Sequence, residues 1–414
     1  MRPGHDHDTG APLLPLDEAR SRAMSRIDRL PPTELALAEA HGCVAAEDVL
    51  APIELPPFSS SAMDGYAVRA ADVAGAAPDR PAALRPVGAV QIGSPGELEV
   101  GGGEAVAVPT GGVVPPGADA VVPVEQTIRE ADRVLVLAPV PPGRYVRRAG
   151  QDVRARDVMV PAGKRLLAAD LGLLASAGLG SVRAIPRARV GILSTGDELV
   201  EPGAPLGPGS VPDANALTLH GCVLEAGAVP VPLGRVPDDG AALARVLTEA
   251  EGVDVLVSSG GVSVGERDPV KAAFGSGDEV DFVEVAMQPG KPQAFGTLGG
   301  RPYFGLPGNP VSVFVSFEVF VRPAVLSMMG RGDARTEVRA TLDTDVTGPE
   351  EKVQFARVRL HRSNGGLVAS PTGPRGSNLL ATMARADGLA VIPAGVATAE
   401  AGTPVRVILV RDQP

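Results

Sequence analysis

Tryptophan is absent from the chain, and only three tyrosines and nine phenylalanines stand among its 414 residues. Single-stranded nucleic acid is held by stacking its bases on exposed aromatic rings, so this scarcity argues against such a role. Basic residues are also in the minority, 38 against 49 acidic ones, for a formal charge of −11. That balance excludes a broad nucleic-acid surface and repels anions on average, so any anion site has to be a local basic pocket. Cysteine occurs only at Cys43 and Cys222, too few for a disulfide framework and in keeping with a reducing cytosol. No uninterrupted run of about 18 apolar residues is present to span a bilayer, and the leading MRPGHDHDTG is polar, unlike a signal sequence. A cytoplasmic protein with neither membrane nor nucleic acid as partner is expected. Neither G-x-G-x-x-G nor G-x-x-x-x-G-K-[ST] occurs, which removes support for a dinucleotide oxidoreductase or an ordinary NTPase.

What is present is a globular composition, 44% hydrophobic, with 51 glycines and 41 prolines that imply many tight turns. The length exceeds what one core organises, so roughly two to four domains are expected. Residues 1–15 read as a flexible leader, whose His5 and His7 lack a second ligand cluster. Leu16, Ala19, Ala23, Ile27 and Leu30 follow a helical stripe, and a second short helix is predicted over Thr33 to His41. RLLAADLGLLAS (166–177) returns to helical spacing, so 16–50 and 146–186 are read as one discontinuous helical linker domain. Between them, 51–145 alternates period-two runs such as EAVAV with PTGG, PPGAD and PPGR turns, the pattern of a β-rich domain. From 187 to 330 strands and helices alternate, which implies a doubly wound α/β domain with parallel strands. Residues 331–414 are again β, with SNGG as a hairpin turn. The stretch GDELVEPGAPLGPGSVPD is too punctuated for secondary structure and too long to be idle.

Ligands of doubly wound sheets sit beyond the carboxyl ends of the strands, and three stretches are predicted to meet there: STGDEL (194–199), SSGGVSVGERD (258–268) and LPGNPVS (306–312). Gly260 and Gly261 permit positive φ and open N–H groups that attract an anion. Glu266 and Asp268 repel an anion unless a cation lies between; on its own, however, such a stretch is as well explained as a plain turn. Asn309 suits a helix N-cap and Pro310 the first helical position, with the free N–H groups and the Ser312 hydroxyl facing the crevice. Asp197 and Glu198, joined by Asp268, suit a hard divalent cation; acids interacting with a helix dipole are the alternative. Lys291, in MQPGKP, is a point charge for an anion or a solvated turn residue. Asp64 and Thr110 stand among small residues in turns of the β-rich domain. Phe355, Arg357 and Arg359 fall on one face of a strand, where the two arginines either bind an oxyanion or are solvated.

Together AMDGYAVR, PTGGVVPPGADAVV, STGDEL, SSGGVSVGERD, PGKP, GLPGNPVS and TGPRGSNLL resemble the molybdopterin molybdenumtransferase family (MoeA and the gephyrin E domain), from about residue 16 to the end. The resemblance implies a homodimeric enzyme of linker, β, α/β and C-terminal β-barrel domains. Such an enzyme inserts molybdate into the dithiolene of adenylylated molybdopterin and cleaves its pyrophosphate with Mg²⁺, releasing AMP and molybdenum cofactor. Carried over by motif, Lys291, Pro292, Ser312 and Arg357, with Ser263 and Thr382, form the molybdate pocket, and Gly260, Gly261, Asn309 and Arg375 line the substrate side. Asp197, Glu198, Asp238 and Asp268 form the nucleotide and Mg²⁺ side, with Asp197, Glu198 and Asp268 as metal ligands. Asp64 and Thr110 are the second-domain contribution, reaching a partner chain's cleft. The molybdopterin adenylyltransferase and molybdoenzyme chaperones are the protein partners implied. Three departures stand out: Gln288 where many relatives have lysine, Pro374-Arg375 where they have His-Gln, and Ser59 where an acid is often seen. Arg375 is expected to restore the charge that Gln288 removes. An adenylyltransferase shares the α/β domain type but has no use for AMDGYAVR or the β tail, and a receptor-binding scaffold lacks any added domain here.

Overall fold

The computed structural model describes residues 12–94, 97–237, 239–262, 279–332, 335–363, 366–374 and 376–411. They form two compact units: Glu34–Ala184, and Met1–Thr33 with Ile185–Pro414.

In the first of these, six strands run in the order Ala120–Pro123, Gly65–Val68, Glu104–Val108, Ala82–Ala89, Val134–Val136 and Thr127–Arg129. Alternation buries Val68, Leu84, Ala105, Val122 and Val136 on one side and Ala67, Val106 and Val121 on the other. A separate cluster holds the helix Ala168–Ser176 through Leu174, against Leu166, Val160 and Ala184. Lys164 and the Leu167 N–H both bond the Asp170 carboxylate in the first turn of that helix. Thr33–Ala36 is a strand, pairing with Ser181–Ile185 beside Val44–Ala45, so the helix predicted over Thr33 to His41 is not formed. Apolar spacing at this length cannot separate the two periods, and strand pairing decides.

The larger unit is built on a six-stranded sheet in the order Val229–Val236, Arg189–Thr195, Val255–Ser259, Arg301–Leu306, Pro292–Leu298 and Glu279–Glu284. The first four strands are parallel, as βαβ crossovers require; Pro292–Leu298 runs antiparallel to both its neighbours. Helices Ala214–Glu225 and Gly240–Glu249 are the crossovers, N-capped by Asp213 and Asp239. The helical stripe predicted from Leu16 is the helix Leu16–Met24, which buries Leu16, Ala19 and Ala23 in the core that contains Phe317 and Phe320. Pro310–Met328 is long and apolar enough to cross a membrane, yet 83% of it is buried inside the protein, so it is a core helix; each fully buried Phe on it contributes about 1.5–3 kcal/mol. Its middle, Phe317–Val321, is a π segment that carries Glu318 into the interior, where Arg335 bonds it twice and reaches Glu225.

Five strands, Glu337–Leu342, Val353–Ser363, Gly366–Pro371, Gly388–Ile392 and Pro404–Leu409, close a C-terminal barrel, because Val353–Ser363 pairs with both Gly366–Pro371 and Gly388–Ile392. Val358 and Leu360 fill its interior. The opposite face of that strand is divided: Phe355 joins the α/β core and Arg357 is buried, whereas Arg359 is exposed. The punctuated stretch after Glu198 also holds structure, a two-stranded parallel ladder of Leu199–Val200 with Val211–Pro212.

Candidate active site

Three loops meet at the carboxyl ends of the parallel strands. Ser194 and Ser259, neighbours on adjacent strands, place their hydroxyl oxygens 3.3 Å apart in the interior. The chain then turns at Gly260, with φ +90°, where a Cβ would stand 2.6 Å from the Thr195 carbonyl oxygen; only glycine allows the two strand ends to approach so closely. The Gly260 N–H is not open to an anion, since it donates to the Leu306 carbonyl at 3.0 Å. Gly308 lies against Gly260, and the buried Asn215 donates Nδ2 to the Gly308 carbonyl at 2.7 Å. Its Oδ1 has no hydrogen-bond partner among the described residues. Gly261 follows at φ +67°. Ser263, Glu266 and Asp268 lie outside the described residues, as do Asp238 and Arg375.

Asn309 caps Pro310–Met328 by backbone alone: its carbonyl accepts from Val313, and its side chain makes no capping bond. The helix start is less open than its sequence suggests, because the Val311 N–H donates to the Ser377 carbonyl at 3.0 Å and Ser312 is buried. Ser377 belongs to the segment that Arg357 holds. The Arg357 guanidinium donates to the carbonyls of Pro374 at 2.9 Å and Gly376 at 3.0 Å. Thr382, also buried, stands against Gly373 and gives its hydroxyl to the Leu379 carbonyl at 2.6 Å. One loop thus ties together Arg357, Thr382 and the residues leading to Ser312.

Lys291 is fixed differently. Glu284 and Pro292 are cross-strand partners, which brings Lys291 Nζ to 3.3 Å from Glu284 Oε1. Both side chains are largely buried, at 17% and 8% exposure. Gly290, at φ +104°, leaves room for Ser316, which takes a hydrogen bond from Gln293 Nε2 at 2.6 Å. Gln293, Ser316, Asn215 and Glu284 carry no motif of their own; only the strand pairing of Glu284 with Pro292 could have revealed one of them.

Asp197 and Glu198 follow the Arg189–Thr195 strand and are both exposed. Among the described residues, no group of three or more His, Cys, Asp or Glu side chains is set to hold a metal ion. The two carboxylates are nevertheless the hard oxygen donors that Mg²⁺ takes when substrate phosphate and water complete its shell. Asp64 and Thr110 are in the other unit, both exposed. Thr110 donates to Asp64 Oδ1 from its N–H at 2.7 Å and its hydroxyl at 2.9 Å. The N–H first, then the hydroxyl, hold the Asp64 carboxyl below its ordinary pKa.

Three family descriptions match the chain in order: MoeA N-terminal region (domain I and II) over residues 14–178, probable molybdopterin binding domain over 191–327, and MoeA C-terminal region (domain IV) over 339–410. Molybdopterin molybdenumtransferase 2 of Mycobacterium tuberculosis is 42% identical over 384 residues, 91% of this chain and 94% of that protein. The molybdopterin molybdenumtransferase of Bacillus subtilis is 33% identical over 408 residues, 97% and 95% of the two chains. The crystal structure of a molybdopterin biosynthesis MoeA protein from Pyrococcus horikosii superposes with a TM-score of 0.80 at 32% identity, covering 97% of this chain and 100% of that one. A closed C-terminal barrel, an α/β unit whose loops converge at the strand ends, and this similarity along almost the whole length place the chain in the molybdopterin molybdenumtransferase family, transferases of molybdenum cofactor biosynthesis.

Proposed function

We propose that this protein inserts molybdate into the dithiolene of adenylylated molybdopterin and cleaves the pyrophosphate link, releasing AMP and molybdenum cofactor. The observation that carries the reading is a pair of largely buried cations, Lys291 and Arg357, in a chain whose net charge is −11. Burying a charge is costly unless it is paired, and both have oxygen acceptors of the protein beside them. Molybdate, a tetrahedral dianion, is suited by two cations with the hydroxyls of Ser312 and Ser263, and of Thr382 once it turns from the Leu379 carbonyl, and Pro292 stiffens the chain beside Lys291. On this reading Asp197 and Glu198, with Asp238 and Asp268, hold Mg²⁺, which when bound neutralises phosphate charge. Gly260, Gly261, Asn309 and Arg375 line the substrate. A homodimer is part of the proposal, with Asp64 and Thr110 acting on a partner chain's cleft, as are a cytoplasmic location and docking to the adenylyltransferase and to molybdoenzyme chaperones.

Chromatographic detection of AMP after mixing with adenylylated molybdopterin, molybdate and Mg²⁺ tests the reaction. AMP is the expected product; in a second vessel holding molybdopterin and ATP, release of pyrophosphate would mark an adenylyltransferase instead. For the shared site, Asp64→Ala and Lys291→Ala proteins, each inactive alone, are mixed under subunit exchange. Activity is expected to return, and its absence despite demonstrated exchange overturns the shared site.

A further inference from the structure

A cavity of about 340 Å³ lies where the turn before Lys291 meets the barrel, lined among others by Gln288, Asp345, Val346, Gln354, Phe355 and Arg357. Met287–Gln288 pairs with Val353–Gln354 as a short parallel ladder, so Gln288 and Gln354 are neighbours in the wall. Gln354 is only 4% exposed. Its Nε2 is buried without a hydrogen-bond partner among the described residues, and no bond to its Oε1 is found there either. The amide rests on Gly348, where any Cβ would overlap it. A buried amide N–H₂ left without an acceptor costs stability, and the volume is within the range of small-molecule sites.

From this geometry we infer that the cavity is a subsite for a planar nitrogen heterocycle whose edge carries a donor beside an acceptor, bound through the Gln354 amide. Glutamine reads such an edge with both ends of its amide at once, as it does with adenine, so the match survives exchange of the amide's O and N. The lining holds one carboxylate, Asp345, and one guanidinium, Arg357, so their charges offset and a neutral ring suits the cavity. Asp345 Oδ1 accepts from the Ala401 N–H at 2.8 Å, and its second oxygen can accept from a ring amine. Val346, Phe355 and nearby prolines supply apolar walls. Arg357 belongs to both this cavity and the cation pair, which sets the heterocycle beside the place proposed for molybdate. The inference rests on the proposed function for its ligand, since adenylylated molybdopterin carries two such rings, pterin and adenine.

Unsubstituted pterin and AMP serve as separate probes on the intact protein. Pterin fluoresces and the chain has no tryptophan, so its binding is read directly; AMP binding is read by calorimetry. One of the two probes is expected to bind wild type and to lose about tenfold or more in affinity in Gln354→Leu, while the other is unaffected. The probe that responds identifies the ring. Thr347→Phe, at an exposed lining position, is expected to block the same probe without touching the barrel interior, which covers the case of a poorly folded Gln354→Leu. If neither probe binds up to millimolar concentration, or both variants bind both probes as wild type does, the cavity holds only water and the subsite is wrong. Loss of probe binding without AMP release in the turnover assay would leave the subsite standing and sink the reaction; AMP release with unchanged probe binding would do the reverse.

Discussion

Asp64, in the Glu34–Ala184 unit, stands in solvent and takes both of its hydrogen bonds from one residue, Thr110, whereas Lys291 and Arg357, in the other unit, are sunk in protein and held by Glu284 and by two loop carbonyls. An exposed charge can be removed with little consequence for folding, because water solvates it in either state. A buried one cannot, because its partners are left behind without it. The comparison separates a charge whose removal should touch only the proposed chemistry from charges whose removal should touch the fold as well.

The largest effect sharpens the buried side. Arg335→Ala leaves Glu318, 2% exposed, without its bidentate partner, and should cost about 3–5 kcal/mol, measured by chemical denaturation. A loss under about 1 kcal/mol would show that Arg322, 3.8 Å from Glu318, suffices alone. Next in size, Lys291→Ala deprives the buried Glu284 of this cation, and about 1–3 kcal/mol should vanish together with AMP release. Asp64→Ala should abolish AMP release while stability stays close to that of wild type. A matching fall in stability in both variants would erase the contrast.

The smallest effect is on a titration. Asp64 has a depressed pKa when folded, so its contribution to stability is complete above the unfolded value and is lost as pH falls through the folded one. Thr110→Val removes the hydroxyl but keeps the N–H, the larger cause; the Asp64 carboxyl resonance should titrate at a higher pH, yet still below its ordinary value. No movement would mean that the hydroxyl does nothing for the charge.

Part of the candidate site was legible in local signals: strand ends, a glycine pair and a Pro-started helix. Gly260 takes a positive φ and Asn309 precedes the helix, yet the Gly260 N–H is taken by the Leu306 carbonyl and the Asn309 side chain makes no capping bond; the barrel strands follow from period two. What the sequence hid is long-range. Glu284 meets Lys291 only because two strands pair antiparallel, and Val311 gives its N–H to Ser377, 66 positions away by number. Arg357 read as an outer-face residue since nothing in its strand says that a second core will cover it. Thr33–Ala36 failed for the opposite reason: a helical spacing over a few residues was outweighed by a partner strand near residue 181.

The claim at the centre of this account is that cation pair, acids and exposed carboxylate serve one reaction that couples molybdate uptake to AMP release. It is tested most directly by following both in a single vessel, AMP by chromatography and dithiolene-bound molybdenum by metal analysis of the product. The account predicts equal amounts of the two, AMP release that stops when molybdate is withheld, and loss of both in Arg357→Ala. AMP released at the same rate without molybdate, or molybdenum bound with the adenylyl group still in place, would contradict it.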